Sequence, residues 1–441
     1  MIRIVDGKCK LQYLNKIELT TARYTITDFR IVKEKMLNWV NQFSIFCFLD
    51  NHSYQIEPHT LECMVAAGAK RSVQSNAGNA LVQLQQFIND QRSWVFGHLG
   101  YDLKNEIEQL SSSNSDNIQF PDLYFFEPEI IIRLNEKEIF IEADDADLIF
   151  EEIQNSSLHN KAYQNEVHIK NRINKSEYIT IVNQLKQHIL RGDCYELNFC
   201  QEFYAENAVI DPVEVYKKLS AVSPNPFSAL YKIDDKWVIC ASPERYIKKT
   251  DKEILSQPIK GTSKRNTENE ASDVKEKEDL YNSAKDRSEN VMVVDLVRND
   301  LAKICNEGTV HVDELYGIYS FPQVHQMIST VSGELKENIS FKEIIEATFP
   351  MGSMTGAPKK RVIELIEQYE KTKRGVFSGA VGYINPEGDF DFNVVIRSIL
   401  YNADKKYLSF PAGSGITFYS DAEKEWEECL MKAEAIRQVL S

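Results

Sequence analysis

The stretch Val376–Pro411, V-F-S-G-A-V-G-Y-I-N-P-E-G-D-F-D-F-N-V-V-I-R-S-I-L-Y-N-A-D-K-K-Y-L-S-F-P, decides the fold. Val376–Ile384 reads as a strand, rich in β-branched and aromatic residues and closed by the turn Asn385-Pro386-Glu387-Gly388. Phe390–Tyr401 reads as a second strand, Asn402–Lys405 as another turn, and Lys406–Pro411 as a third strand. Strands joined by connections this short must run antiparallel, because a parallel crossover needs about a dozen residues or more. The class is therefore α+β, with antiparallel sheets flanked by helices, and not a doubly wound parallel fold.

Downstream, Ser420 and Glu423 have the spacing of a capping box, which opens a helix running to about Leu440. At roughly 100° per residue, Trp426, Leu430 and Ala433 form its apolar stripe. Glu425, Glu428 and Lys432 form a row beside that stripe, shared with Ile436 and Val439 and so half buried. Two carboxylates and a lysine in such a row need a partner or a purpose. Upstream, Ile179, Val182, Leu185 and Ile189 mark a helix that begins near Ser176 and stops at Gly192. Two polar stretches, Ser111–Asn117 and Gln154–Lys175, read as loop. The second separates an N-terminal region, 1–155, from a C-terminal region, 175–441.

The 441 residues are 43% hydrophobic, enough for a large core, and carry a formal net charge of −15. That balance argues against a nucleic-acid surface, which needs a basic stripe. It leaves room for small anionic substrates, since a site can be locally positive inside an acidic protein. No apolar run is long enough to span a bilayer, and Met1–Lys10 has no secretory signal, so a cytoplasmic protein is expected. The cysteines, Cys9, Cys47, Cys63, Cys194, Cys200, Cys240, Cys305 and Cys429, form no C-x-x-C pair and are expected to be reduced and buried. Gly352–Lys360, G-S-M-T-G-A-P-K-K, lacks the spacing of a phosphate loop, the histidines do not cluster for zinc, and there is no G-x-S-x-G elbow.

The remaining short segments all lie in the C-terminal region: S-P-E-R-Y at 242–246, P-I-K-G-T at 258–262 and D-R-S-E-N-V-M-V-V-D-L-V-R-N-D at 286–300. G-S-M-T-G-A-P-K at 352–359, A-G-S-G-I-T-F-Y-S at 412–420 and the helix segment Glu423–Lys432 follow. In this order they resemble the chorismate-utilising enzymes, which include anthranilate synthase component I, isochorismate synthase, salicylate synthase and aminodeoxychorismate synthase component I. The resemblance covers Ser176–Ser441; Phe96–Asp102, F-G-H-L-G-Y-D, extends it more loosely into the N-terminal region. It implies an anthranilate synthase component I-like fold with the active site in the C-terminal, chorismate-binding part.

It also implies roles. The P-I-x-G-T segment carries lysine in the aminating branch and alanine in anthranilate synthases; here Lys260 would attack the chorismate ring at C2 before ammonia attacks C4. An amine nucleophile must be neutral, so a lowered lysine pKa is expected. Glu244 would be the general acid/base, needing a raised pKa, although an ion pair with Arg245 is the plainer alternative. Glu289 and Glu428 would hold Mg²⁺, with Asp286 and Glu425 behind them. Arg397 would pair with a substrate carboxylate. Gly413, Ser414 and Gly415 would form a glycine-rich turn against the other carboxylate, and Gly261 and Thr262 would touch substrate. Lys432 would either pair with Glu428 or touch substrate. Thr355 would cap the helix after its loop. Glu196 stands where the hydrating relatives carry a water-activating lysine, which points away from hydration. Gln326, not His325, stands at the anthranilate synthase histidine. No segment resembles a glutaminase, so ammonia is expected from a separate glutamine amidotransferase subunit, on a route to p-aminobenzoate and folate. No tryptophan site is assigned in the N-terminal region.

Overall fold

The computed structural model describes residues 20–54, 62–158 and 167–441. Cys9, the Met1–Lys10 segment and the middle of the Gln154–Lys175 boundary lie outside the described residues. The described strands form two large sheets in which every strand pairing is antiparallel, with helices packed against them. The first runs in the order Thr20–Thr25, Glu138–Ala143, Ile130–Leu134, Cys63–Ala67, Ile45–Asp50, Phe227–Ile233, Lys236–Ser242, Ser398–Asn402, Tyr407–Ile416, Glu196–Ala205, Gly356–Ala357. The second runs Ile259–Lys264, Val324–Glu334, Glu253–Gln257, Arg245–Thr250, Phe390–Asn393, Ala380–Ile384, Val95–Leu99, Leu123–Glu127, Arg71–Ser75. Both sheets draw on both sides of the 155–175 boundary. Ile45–Asp50 pairs with Phe227–Ile233 in the first, and Val95–Leu99, within the F-G-H-L-G-Y-D segment, pairs with Ala380–Ile384 in the second.

Side-chain alternation explains the layering. Cys47, Tyr231 and Val238 of the first sheet pack with Phe96, Val381 and Phe392 of the second in one core. Their neighbours Phe46, Phe48, Leu230 and Ile239 point the other way and are buried against Met36, Tyr216 and Ile436 of covering helices. All seven described cysteines are free and buried. No helix among the described residues is long and apolar enough to cross a membrane.

The Val376–Pro411 stretch folds as an antiparallel ribbon, with two changes. The hairpin about Asn385–Gly388 forms as read, with Ile384 opposite Phe390. Phe390–Tyr401, however, is two strands in different sheets, Phe390–Asn393 and Ser398–Asn402. Val394–Arg397 carries the chain from one sheet to the other, and Arg397 adopts φ 53°, the left-handed conformation that turns it. Val376–Gly379 is a turn before the strand, and the last strand runs on from Tyr407 to Ile416.

The helix at Lys175–Leu190 is capped by Asn174 and buries Tyr178, Ile181, Val182, Leu185 and His188. The C-terminal helix is Ala422–Leu440, and its cap is Asp421, whose carboxylate accepts from the Glu423 and Lys424 amides. Ser420, the expected cap, instead uses its hydroxyl to accept from the Thr417 amide in the preceding turn. Aspartate caps as well as serine and stands one residue closer to the first turn. Thr355 is not a cap either: its hydroxyl donates to the Met351 carbonyl, and the helix Lys359–Tyr369 starts at Pro358 without a side-chain cap.

Candidate active site

A cavity of about 530 Å³ opens where the ends of the two sheets meet the helices Ala284–Ile304 and Ala422–Leu440. Its wall includes Glu244, Lys260, Gly261 and Thr262, then Asp286 and Glu289, and finally Arg397, Gly413, Gly415, Glu428 and Lys432. Residues scattered over some 190 positions of sequence are thus brought to one place. Ser414 and Glu425 are not in the wall.

Lys260 lies on the strand Ile259–Lys264, and its side chain is only 10% exposed. Its Nζ sits 2.6 Å from Oε1 of Glu196, a buried residue at the start of Glu196–Ala205. Gly415 makes room for this contact: a Cβ there would lie 2.9 Å from Glu196 Oε1 and 3.0 Å from Lys260 Nζ. Burial alone would lower the Lys260 pKa, but the Glu196, Glu289 and Glu244 carboxylates outweigh it and hold the amine above the ordinary lysine range. That direction is the opposite of the lowered pKa expected for an amine nucleophile.

Glu244 is buried, and burial pushes its carboxyl up to about 7, partly opposed by the polar Ser353 side chain beside it and by the Lys260 charge. A carboxyl poised near neutrality can act as both acid and base. The plainer reading, an ion pair with Arg245, is not what forms. The Arg245 guanidinium turns to Asp391 at 3.0 Å and to Gln257 at 2.6 Å.

The acidic faces of the two helices do meet. Burial lifts Glu289 to about 7, with Lys260 opposing and Glu196 adding to the rise. Lys285 stands between the helices, 3.5 Å from Glu425 Oε1 and 3.8 Å from Glu289 Oε1. Asp286 flanks Gly261, whose φ of 94° and lack of a Cβ let that strand approach the helix. Burial pushes Glu428 upward, yet Lys432 outweighs it from 2.6 Å and holds the carboxylate below its usual range. The same Lys432 Nζ donates to the Gly413 carbonyl at 2.9 Å. Among the described residues, no three His, Cys, Asp or Glu side chains converge as a metal cage. On these helices, the buried Glu289 Oε1 and Glu425 Oε2 nonetheless lack a hydrogen-bond partner among the described residues. That fits Mg²⁺, which takes a few carboxylates and completes its shell with water and substrate oxygens.

Arg397 is half buried and donates to the Lys432 carbonyl at 3.4 Å; among the described residues no carboxylate forms an ion pair with it. Its fork can therefore take a ligand carboxylate bidentately. Thr262 pairs across the sheet with Gln326, and both line the cavity. His325 points away from it and bonds Ser320 and Asp273.

Gly413-Ser414-Gly415 is not a turn. It lies toward the end of the strand Tyr407–Ile416, paired with Asn198–Cys200. Alternation sends the Ser414 side chain to the opposite face, 3.5 Å from the Tyr178 hydroxyl. Gly413 is required by close packing, since a Cβ would lie 2.1 Å from the Phe199 carbonyl oxygen.

Three contributors escaped the sequence reading: Glu196 as the partner of Lys260, Lys285 between the helices, and Ser353 beside Glu244. Lys285 was readable as the i, i+4 neighbour of Glu289. Nothing local links Glu196 to Lys260, or Ser353 to Glu244.

The model for the chorismate binding enzyme family matches residues 44–438, and the chain belongs to that family. A Synechocystis relative described as an anthranilate synthase component I-like protein is 34% identical over 354 residues, 79% of this chain and 72% of the relative. Aminodeoxychorismate synthase component 1 of Bacillus subtilis is 30% identical over 368 residues, 80% of this chain and 77% of that one. The crystal structure of anthranilate synthase component I from Streptococcus pneumoniae TIGR4 shares the fold, with a TM-score of 0.77 at 24% identity, over 88% of this chain and 94% of that one. The protein is thus a chorismate-utilising enzyme of the anthranilate/aminodeoxychorismate synthase group.

Proposed function

We propose that the protein aminates chorismate at C4, giving 4-amino-4-deoxychorismate for p-aminobenzoate and folate synthesis. Its ammonia would come from glutamine through a separate amidotransferase subunit. The observation that carries this reading is a lysine amine and a carboxyl poised near neutrality, Lys260 and Glu244, on the wall of one cavity.

Arg397 holds one substrate carboxylate through its guanidinium fork. Glu289 and Glu428, with Glu425 and Asp286 behind them, would hold Mg²⁺, which when bound supplies positive charge opposite the ring carboxylate. The wall supports the need for such an ion. Lys260, Lys285, Arg397 and Lys432 face Glu244, Asp286, Glu289, Glu427 and Glu428, so the protein alone offers a dianion no net positive surface. The neutral Lys260 amine attacks C2, both conjugated ring double bonds shift by one position, and the C4–O bond breaks. Glu244 gives its proton to the departing oxygen, which leaves as water. Ammonia then attacks C4, both double bonds shift back, and Lys260 departs from C2 as an amine. The Glu244 carboxylate takes the proton released by the new C4 amine, and the enolpyruvyl ether stays intact.

Anthranilate synthesis is the second reading, favoured by the description of the Synechocystis relative. It is opposed by Lys260 and by Gln326 in place of the anthranilate synthase histidine. The test is Lys260→Ala with chorismate, Mg²⁺ and ammonium. The amination reading expects the rate to fall by orders of magnitude with chorismate binding retained; near wild-type kinetics would remove Lys260 as nucleophile.

A further inference from the structure

The amination reading needs a neutral amine, and the structure places the Lys260 amine against the buried carboxylate of Glu196. We infer that Glu196 is the group that takes the proton from Lys260 and makes it a nucleophile; this rests on the amination reading above. The geometry is built for the transfer. Lys260 Nζ and Glu196 Oε1 are 2.6 Å apart, and the two side chains are 10% and 4% exposed. Gly415 is the residue that lets the pair close. The second Glu196 oxygen, Oε2, is buried and has no hydrogen-bond partner among the described residues. A carboxylate with one oxygen on a lysine and the other on nothing is poorly solvated as an anion. As a carboxylic acid, its O–H donates to the neutral Nζ, and the remaining oxygen needs less.

The balance between the two forms turns on water. Ion pair and neutral pair have the same net charge, so the neighbouring charges act on them largely as on a dipole. Those neighbours are Glu244 beside the strand Arg245–Thr250, Glu289 on Ala284–Ile304 and Glu428 on Ala422–Leu440. Glu289 interacts with Lys260 and Glu196 in opposite senses, so its influence partly cancels. Solvation does not cancel, because it favours only the ion pair. A substrate that fills the cavity strips the remaining water and tilts the pair toward Lys260–NH₂ and Glu196–COOH. The proton stays on Glu196 while the amine is bound to C2, and it returns when Lys260 departs as a free amine, so the cycle closes.

The experiment is the pH dependence of kcat for wild type, Glu196→Gln, Glu196→Asp and Lys260→Ala, with chorismate affinity measured alongside. Glutamine keeps the shape and the acceptor but cannot take the proton, so Lys260 must lose it to solvent. The ratio of Glu196→Gln to wild-type kcat is expected to rise tenfold per pH unit, a slope in which Glu244 cancels. With an ordinary lysine pKa the neutral fraction near pH 7.4 is about 10⁻³, so the loss there reaches up to roughly a thousandfold. Glu196→Asp is expected to restore part of the rate and to flatten the ratio. A pH-independent ratio, or a Glu196→Gln enzyme faster than wild type near pH 7, would overturn the inference, because Glu196 would then merely place the amine or hold it charged. If Lys260→Ala stays active, the amination reading itself fails and the inference falls with it. An inactive Lys260→Ala beside an unaffected Glu196→Gln overturns the inference alone.

Discussion

Glu244→Gln keeps the shape of the side chain while removing a buried ionisable group. Burial raises this carboxyl from 4.5 to about 7 in the folded protein. Below the lower value, both folded and unfolded chains hold the proton, and the group is neutral to stability. As pH rises through that interval the unfolded chain ionises and the folded chain resists, so the wild type loses stability that the variant keeps. Above about pH 7 the loss is complete, and a gap of about 2.5 units is worth roughly 3 kcal/mol. At about 2.1 cal/mol/K per residue, a chain of this length has an unfolding entropy near 0.9 kcal/mol/K, which converts that figure to about 3 °C in Tm. Calorimetric melts of both proteins across this pH range are the assay. The two Tm values should converge at the acid end, and Glu244→Gln should lead by about 3 °C at the alkaline end while amination collapses. A constant Tm difference at every pH would refute the buried, proton-holding Glu244 on which the acid/base role depends.

Two further outcomes follow from the same cavity. Gly415→Ala places a methyl 2.9 Å from Glu196 Oε1 and 3.0 Å from Lys260 Nζ and drives that pair apart. Steady-state kinetics should show a loss of about a hundredfold in kcat, the scale of a misplaced reacting group, in a protein that still folds; an unchanged kcat would mean the contact is dispensable. Glu428→Gln removes one proposed magnesium carboxylate and should raise the Mg²⁺ concentration for half-maximal binding by roughly tenfold or more. Calorimetric Mg²⁺ titration reads this directly, and an unchanged affinity would take Glu428 out of the metal site.

What the sequence made legible was local or motif-bound. The hairpin about Asn385–Gly388 is announced by its own turn residues, and it fixed the antiparallel class. The break after Asn393 was not readable. Val394 and Val395 are buried at the crossing between the sheets, so the apolar run looks like one continuous strand. The row Glu425, Glu428, Lys432 was visible from helical spacing, and its burial follows from the packing of that helix on the first sheet. The glycine-rich turn at Gly413-Ser414-Gly415 is what the family resemblance implies; only the pairing with Phe199 shows that Ser414 is a strand position with an alternating side chain. Lys260 stood out by its motif, but its charge state did not. That is set by Glu196, which lies 64 residues earlier on a strand of the other sheet. Contacts between distant strands are decided by register, and no local pattern encodes them.

The central claim is that this enzyme replaces the C4 hydroxyl of chorismate with an amine and leaves the enolpyruvyl group in place. The most direct measurement is a mass spectrum of the product formed from chorismate, Mg²⁺ and an ammonium salt near pH 8. The account predicts an amino product that retains the pyruvyl carbons, with no free pyruvate. Anthranilate accompanied by an equivalent of pyruvate would contradict it.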